Sequence, residues 1–142
     1  ARFNQAYAAI YPATILLYAG SSRGDVNGVL DPKFQASLTR AGHHVEIVKE
    51  EELLARALQT GHVDLVLTDV ANVDNIQPRA DQSPSKPTIL PVTYKPTKAE
   101  AETIKARYQR ELKTSDRPAR YLSQIDDEMR ARVKLRGTRK SS

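Results

Sequence analysis

The chain has 142 residues, 39% of them hydrophobic and 27% charged, with no cysteine, no tryptophan and one methionine. That length fits one compact domain, and the missing cysteines exclude a disulfide scaffold, a thiolate metal site and a cysteine nucleophile. The net charge of +5 is unevenly spread: residues 1–96 sum to −1 and residues 97–142 to +6, so the basic excess lies in the last third.

Phe3, Tyr7, Ile10 and Tyr11 fall at helical spacing, which predicts a short N-terminal helix stopped by Pro12. Ala13 to Tyr18 is a continuous apolar run, the pattern of a strand buried on both faces of a parallel sheet. Residues 20–28 hold three glycines and two serines and form a loop. Asp31 before Pro32 reads as an N-cap followed by the first helical position. Phe34, Leu38 and Ala41 are the buried stripe of that helix, and Gly42 ends it.

His44 to Val48 alternates as a second strand. Glu50 to Thr60 is a helix with Leu53, Leu54, Ala57 and Leu58 facing inward, and Val63 to Asp69 is a third, mostly apolar strand. Strand, helix, strand, helix, strand at this pitch is a βαβ series with right-handed crossovers. From Val70 to Pro87 the pattern dissolves into asparagine, aspartate, serine and proline, which predicts a long irregular connection. Thr88 to Tyr94 is a fourth strand, and Pro91 within it points to an edge or a bulge. Thr97 and Glu100 form a capping box, opening a helix that buries Ala101, Ile104, Tyr108 and Leu112. After a break at 114–116, a last helix carries the stripe Leu122, Ile125, Met129 and Val133. Such a stripe needs a partner surface.

The expected fold is therefore a single-domain, three-layer α/β sandwich of flavodoxin type, with a doubly wound parallel sheet of order 2-1-3-4. Its core spans 13–113, an appended amphipathic helix spans 116–136, and a frayed basic tail spans 137–142. Ligands of such sheets sit beyond the carboxyl ends of the strands. This singles out the 20–28 loop, Asp69, and the turn Thr93-Tyr94-Lys95-Pro96.

From Phe34 to Asp69 the chain resembles the receiver domain of bacterial two-component response regulators. The resemblance rests on Leu38-Thr39-Arg40-Ala41-Gly42-His43, on Val45-Glu46-Ile47-Val48, on the leucine-rich helix after Glu50, and on Asp64-Leu65-Val66-Leu67-Thr68-Asp69. It implies a phosphoacceptor position at Asp69, a lysine before proline at Lys95-Pro96, and a switch hydroxyl at Thr93 or Thr88. Two departures oppose a working acceptor. Receivers carry two acidic residues after the first strand to bind Mg²⁺, whereas here the chain reads Tyr18-Ala19-Gly20-Ser21. A lone carboxylate is a poor site for an ion that wants several oxygen ligands. In addition, only 25 residues separate Asp69 from Lys95, so one strand–helix unit of the pattern is missing or collapsed into 70–87.

The resulting expectation is a pseudo-receiver: a non-catalytic, regulatory protein-interaction module without metal or cofactor, acting through a protein partner or as a homodimer. Its surface would be the Leu122, Ile125, Met129, Val133 stripe or the face of the fourth strand and its helix. Three other readings compete with it. Gly20, Ser21, Ser22 and Gly24 can cradle a small anion or solute on free backbone amides. Asp69 can be a live phosphoacceptor. The run Arg130, Arg132, Lys134, Arg136, Arg139 and Lys140 can bind nucleic acid, although no aromatic residue follows Tyr121 to stack on bases. His43 and His44, adjacent in a strand, face opposite ways and cannot share a metal. No apolar run reaches the ~18–20 residues of a membrane span. The resemblance implies a cytoplasmic protein. A start at Ala1, expected if an upstream segment has been removed, and the absence of cysteine keep a periplasmic or secreted location open.

Overall fold

The computed structural model describes residues 9–19, 29–60, 62–93, 98–107, 111–114 and 117–141. The strands are β1 (Thr14–Tyr18), β2 (His44–Val48), β3 (Leu65–Thr68), β4 (Thr88–Thr93) and β5 (Leu112–Lys113). The helices are α1 (Pro32–Arg40), α2 (Glu51–Gln59), α3 (Val70–Gln82), α4 (Lys98–Arg107) and α5 (Pro118–Ser141). All strand pairs are parallel, in the order β2-β1-β3-β4-β5. The doubly wound α/β sandwich is thus present, with a fifth strand beyond the four expected. No described helix is long and apolar enough to cross a membrane.

The apolar runs become the central strands because both faces of the sheet are covered. Ile15, Leu16, Leu17, Leu65, Val66 and Leu67 are all fully buried. On one side Ile15, Leu17, Leu65 and Leu67 meet Phe34 and Leu38 of α1 and Tyr121, Leu122, Ile125 and Met129 of α5. On the other, Leu16 and Val66 meet Leu54 and Leu58 of α2 and Ile76 of α3. Asp31 caps α1 by accepting from the Lys33 amide at 3.0 Å, and Gly42 leaves that helix at φ +105°, a conformation that favours glycine. In α2 the inward face is Leu54 and Leu58; Leu53, expected inside, is 47% exposed.

Several sequence expectations change. The irregular connection at 70–87 is instead mostly α3. Its buried residues Val73, Ile76 and Ala80 keep helical spacing, but Asp74, Asn75, Pro78 and Asp81 on its exposed side hid that stripe. Pro78 lies inside the helix and offers no N–H to the Asp74 carbonyl. Pro78→Ala should raise the unfolding free energy by about 1–2 kcal/mol, since a solvated helix position recovers only part of the interior penalty. Thermal melts of the two proteins check this.

The helix expected to bury Leu112 ends at Arg107, and Leu112 is instead in β5, paired with Val92. Among the described residues the ladder between β4 and β5 begins at Val92, so Pro91 stands before it and its missing N–H interrupts none of those paired positions. The last helix is no appendage: α5 is the helix that follows β5 and closes one layer, and its backbone stays helical through Ser141, where a frayed tail from 137 was expected. At the other end, Ala9 to Tyr11 is not helical; Phe3 and Tyr7 lie outside the described residues.

The Leu122, Ile125, Met129 stripe is consequently no partner surface. These side chains are 2%, 0% and 4% exposed, consumed by the chain's own core, and the side chain of Val133 lies outside the described residues. Phe34 and Tyr121 stack edge to face, with centroids 4.9 Å apart, in the middle of this contact.

Candidate functional site

Parallel strands place their carboxyl ends along one edge, here Tyr18 and Ala19, Asp69, Thr93, and Lys113 with Thr114. Thr68 is fully buried, and its hydroxyl donates to the Tyr18 carbonyl at 2.9 Å, locking β3 against β1 at this edge. Asp69, half-buried, follows immediately and stands at the N-cap position of α3 without a side-chain capping bond. The backbone therefore delivers its carboxyl group where the sequence placed it.

Thr93 ends β4, level with Lys113 of β5, and is 5% exposed. Its hydroxyl donates to Glu111 Oε2 at 2.9 Å. The Lys113 ammonium stands 3.7 Å from Glu111 Oε1. One carboxylate thus engages both the Thr93 hydroxyl and the Lys113 ammonium. Gln124 of α5 holds the Glu111 backbone through a 3.3 Å bond from Nε2 to the carbonyl, and Thr114 donates to the Thr93 carbonyl from its amide at 2.8 Å and its hydroxyl at 3.3 Å. Beside this cluster lies a cavity of about 250 Å³ lined by Leu90, Glu111, Leu112, Gln124, Asp127 and Glu128, with Ala131 at its rim. Three carboxylates on its walls make it a poor place for an anion.

Glu111 and Lys113 were not singled out from the sequence. A two-residue strand gives too short an alternation to register, and a lysine was sought after the fourth strand because a fifth was not foreseen. Lys95 follows β4, not the last strand, and lies outside the described residues, as do Gly20, Ser21, Ser22 and Gly24. Thr88 cannot supply a switch hydroxyl: it opens β4 at the opposite edge of the sheet, where Arg132 Nη1 donates to it at 3.3 Å. Among the described residues no three His, Asp or Glu side chains come together in a way that could hold a metal ion.

The basic run divides as well. Arg130 lies on the exposed side of α5, 3.8 Å from Asp127. Arg132 is turned inward: Nη1 donates to the Lys86 carbonyl and Nη2 to the Ser85 carbonyl, each at 3.0 Å, and Nη2 lies 3.9 Å from Asp64 Oδ1. It is a structural clamp and not part of a polyanion surface. The side chains of Lys134, Arg136, Arg139 and Lys140 lie outside the described residues. His43, which stands just before β2 and not in it as expected, is 4% exposed, while His44 faces solvent and pairs with Glu46 at 3.3 Å.

Comparison with protein-family models, curated proteins and solved structures found no match to this chain.

Proposed function

We propose that this chain is a receiver-like interaction module that regulates a protein partner without phosphoryl transfer. One observation carries the reading: Glu111 already satisfies the Thr93 hydroxyl and faces the Lys113 ammonium. A phosphoryl group on Asp69 would need such a hydroxyl and such a cation free to receive it, and a metal to neutralise its charge. The end of β1 supplies Tyr18 and Ala19 where acidic ligands would be needed, and the neighbouring cavity is walled by carboxylates.

The working surface in this reading is the α4 side of the sheet. Among the described α4 residues only Ile104 is buried, while Ala99, Ala101, Glu102, Lys105 and Ala106 are exposed. A hollow lined by Ala101, Ile104, Lys105 and Glu111 lies between this helix and β5. A helix held, among its described residues, by one apolar anchor shifts at low cost, and Glu111 links that hollow to Thr93.

Incubation with acetyl phosphate and Mg²⁺ followed by intact-mass measurement tests the proposal. The expected result is an unchanged mass. A gain of one phosphoryl group that disappears in Asp69→Asn would overturn it.

A further inference from the structure

The segment 9–13 leads into β1 and is fastened largely by side chains. Pro12 has no N–H, and of the four remaining amides three end on two ionisable side chains. Ile10 and Tyr11 donate to Asp126 Oδ1 at 3.1 and 3.3 Å, and Ala13 donates to His43 Nδ1 at 3.0 Å. Only Ala9 donates to backbone, the Ala41 carbonyl at 2.9 Å. Asp126 and His43 are 2% and 4% exposed. The strap also contributes Ala9 and Tyr11 to the rim of the core.

We propose that His43 and Asp126 form an acid-sensitive latch, in which proton uptake by His43 releases the 9–13 strap while the central sheet stays folded. The chemistry follows from the direction of one bond. An amide N–H only donates, so Nδ1 must carry a lone pair, and the neutral ring keeps its proton on Nε2. Nε2 is buried and has no hydrogen-bond partner. A second proton has to enter at Nδ1, which turns the acceptor into a donor facing the Ala13 N–H. That bond is lost and a cation is left in the interior. The Asp126 carboxylate is the charged group that attracts this cation, and it is the same carboxylate that holds Ile10 and Tyr11. Of the other ionisable groups on the elements around His43, the strap has the Tyr11 phenol, α1 ends in exposed Arg40, and β2 has exposed His44 and Glu46; Arg130 of α5 is exposed beside Asp127.

The direction of the pH effect follows. Burial pushes the His43 imidazole below its ordinary 6.5, with the Asp126 charge opposing. The unfolded segment therefore binds the proton more readily than the latched one. The latch is at full strength above 6.5 and weakens as the pH falls below that value, until the folded-state group is itself protonated.

Amide hydrogen exchange of the full chain, followed by NMR from about pH 7.5 to about pH 5, tests the latch. Protection at Ile10, Tyr11 and Ala13, corrected for intrinsic exchange, should fall by about tenfold or more, with Leu16 and Leu67 unchanged. His43→Asn presents an amide oxygen that accepts from Ala13 and takes up no proton in this range, so its strap should keep constant protection. Should that variant not fold, the wild-type His43 ring resonances give a second reading: their midpoint must lie below 6.5 and coincide with the loss of strap protection. Strap protection that holds through the titration, that falls equally in His43→Asn, or that is lost together with Leu16 and Leu67 would overturn the proposal.

Discussion

Ile125→Ala should lower the unfolding free energy by about 3–4 kcal/mol. The side chain is fully buried, between the sheet and α1, so truncation removes apolar contact and leaves a cavity that a parallel sheet with rigid central strands cannot collapse to fill. Leu53→Ala is the control, because Leu53 is 47% exposed and should cost well under about 1 kcal/mol. Urea unfolding of both variants gives the comparison. If the α5 stripe were a docking surface, Ile125→Ala would leave the monomer as stable as the wild type, and only association would weaken.

Arg132→Ala should cost about 3 kcal/mol. The guanidinium spans two backbone carbonyls, the Thr88 hydroxyl and the Asp64 carboxylate. The two side chains are 12% and 18% exposed, so neither charge is well solvated once its partner is gone. Asp64 is itself built into the sheet: its Oδ2 accepts from the Thr14 amide at 3.0 Å. Removing Arg132 therefore loosens α5, the 85–88 turn and the amino end of β1 together. Arg132→Lys should recover less than half of the loss, because an ammonium cannot reach all four groups that the planar fork spans. Equal stability of the lysine and arginine proteins in urea would show that charge alone, and not the fork, holds this corner.

The strands and helices from 13 to 69 were legible because each carries a single strong signal. Ala13 to Tyr18 and Leu65 to Thr68 are apolar without interruption, and Asp31-Pro32 marks a helix start by two independent chemistries. Beyond Asp69 the signals conflict. The polar side of α3 and its Pro78 outweigh Val73, Ile76 and Ala80 in any local reading, and only the packing against β3 and β4 decides the matter. Leu112 satisfies helical spacing from Ile104 and Tyr108, yet two residues of β5 gain more by closing the edge of β4. The amphipathic stripe of α5 was read as a partner surface, whereas Leu122, Ile125 and Met129 pack in the chain's own core; periodicity does not say to which chain the covering surface belongs.

The site was legible to the same extent. Asp69 stands at the end of its strand, where a buried run followed by a carboxylate had to place it. Thr93 was found by position, but Glu111, which accepts its hydroxyl, comes from the far side of a crossover that sequence spacing did not resolve. The clamp role of Arg132 was likewise invisible, since a cation in a basic helix gives no local sign that it faces inward toward Asp64.

The most direct test of the regulatory, non-phosphorylated reading is an amide NMR titration with Mg²⁺ followed by beryllofluoride, which mimics a phosphoryl group on a carboxylate. With Glu111 engaging Thr93 and Lys113, the resonances of Asp69, Thr93 and Lys113 should stay unmoved through both additions. Saturable shifts at all three would contradict the account and mark the edge as a working phosphoacceptor site.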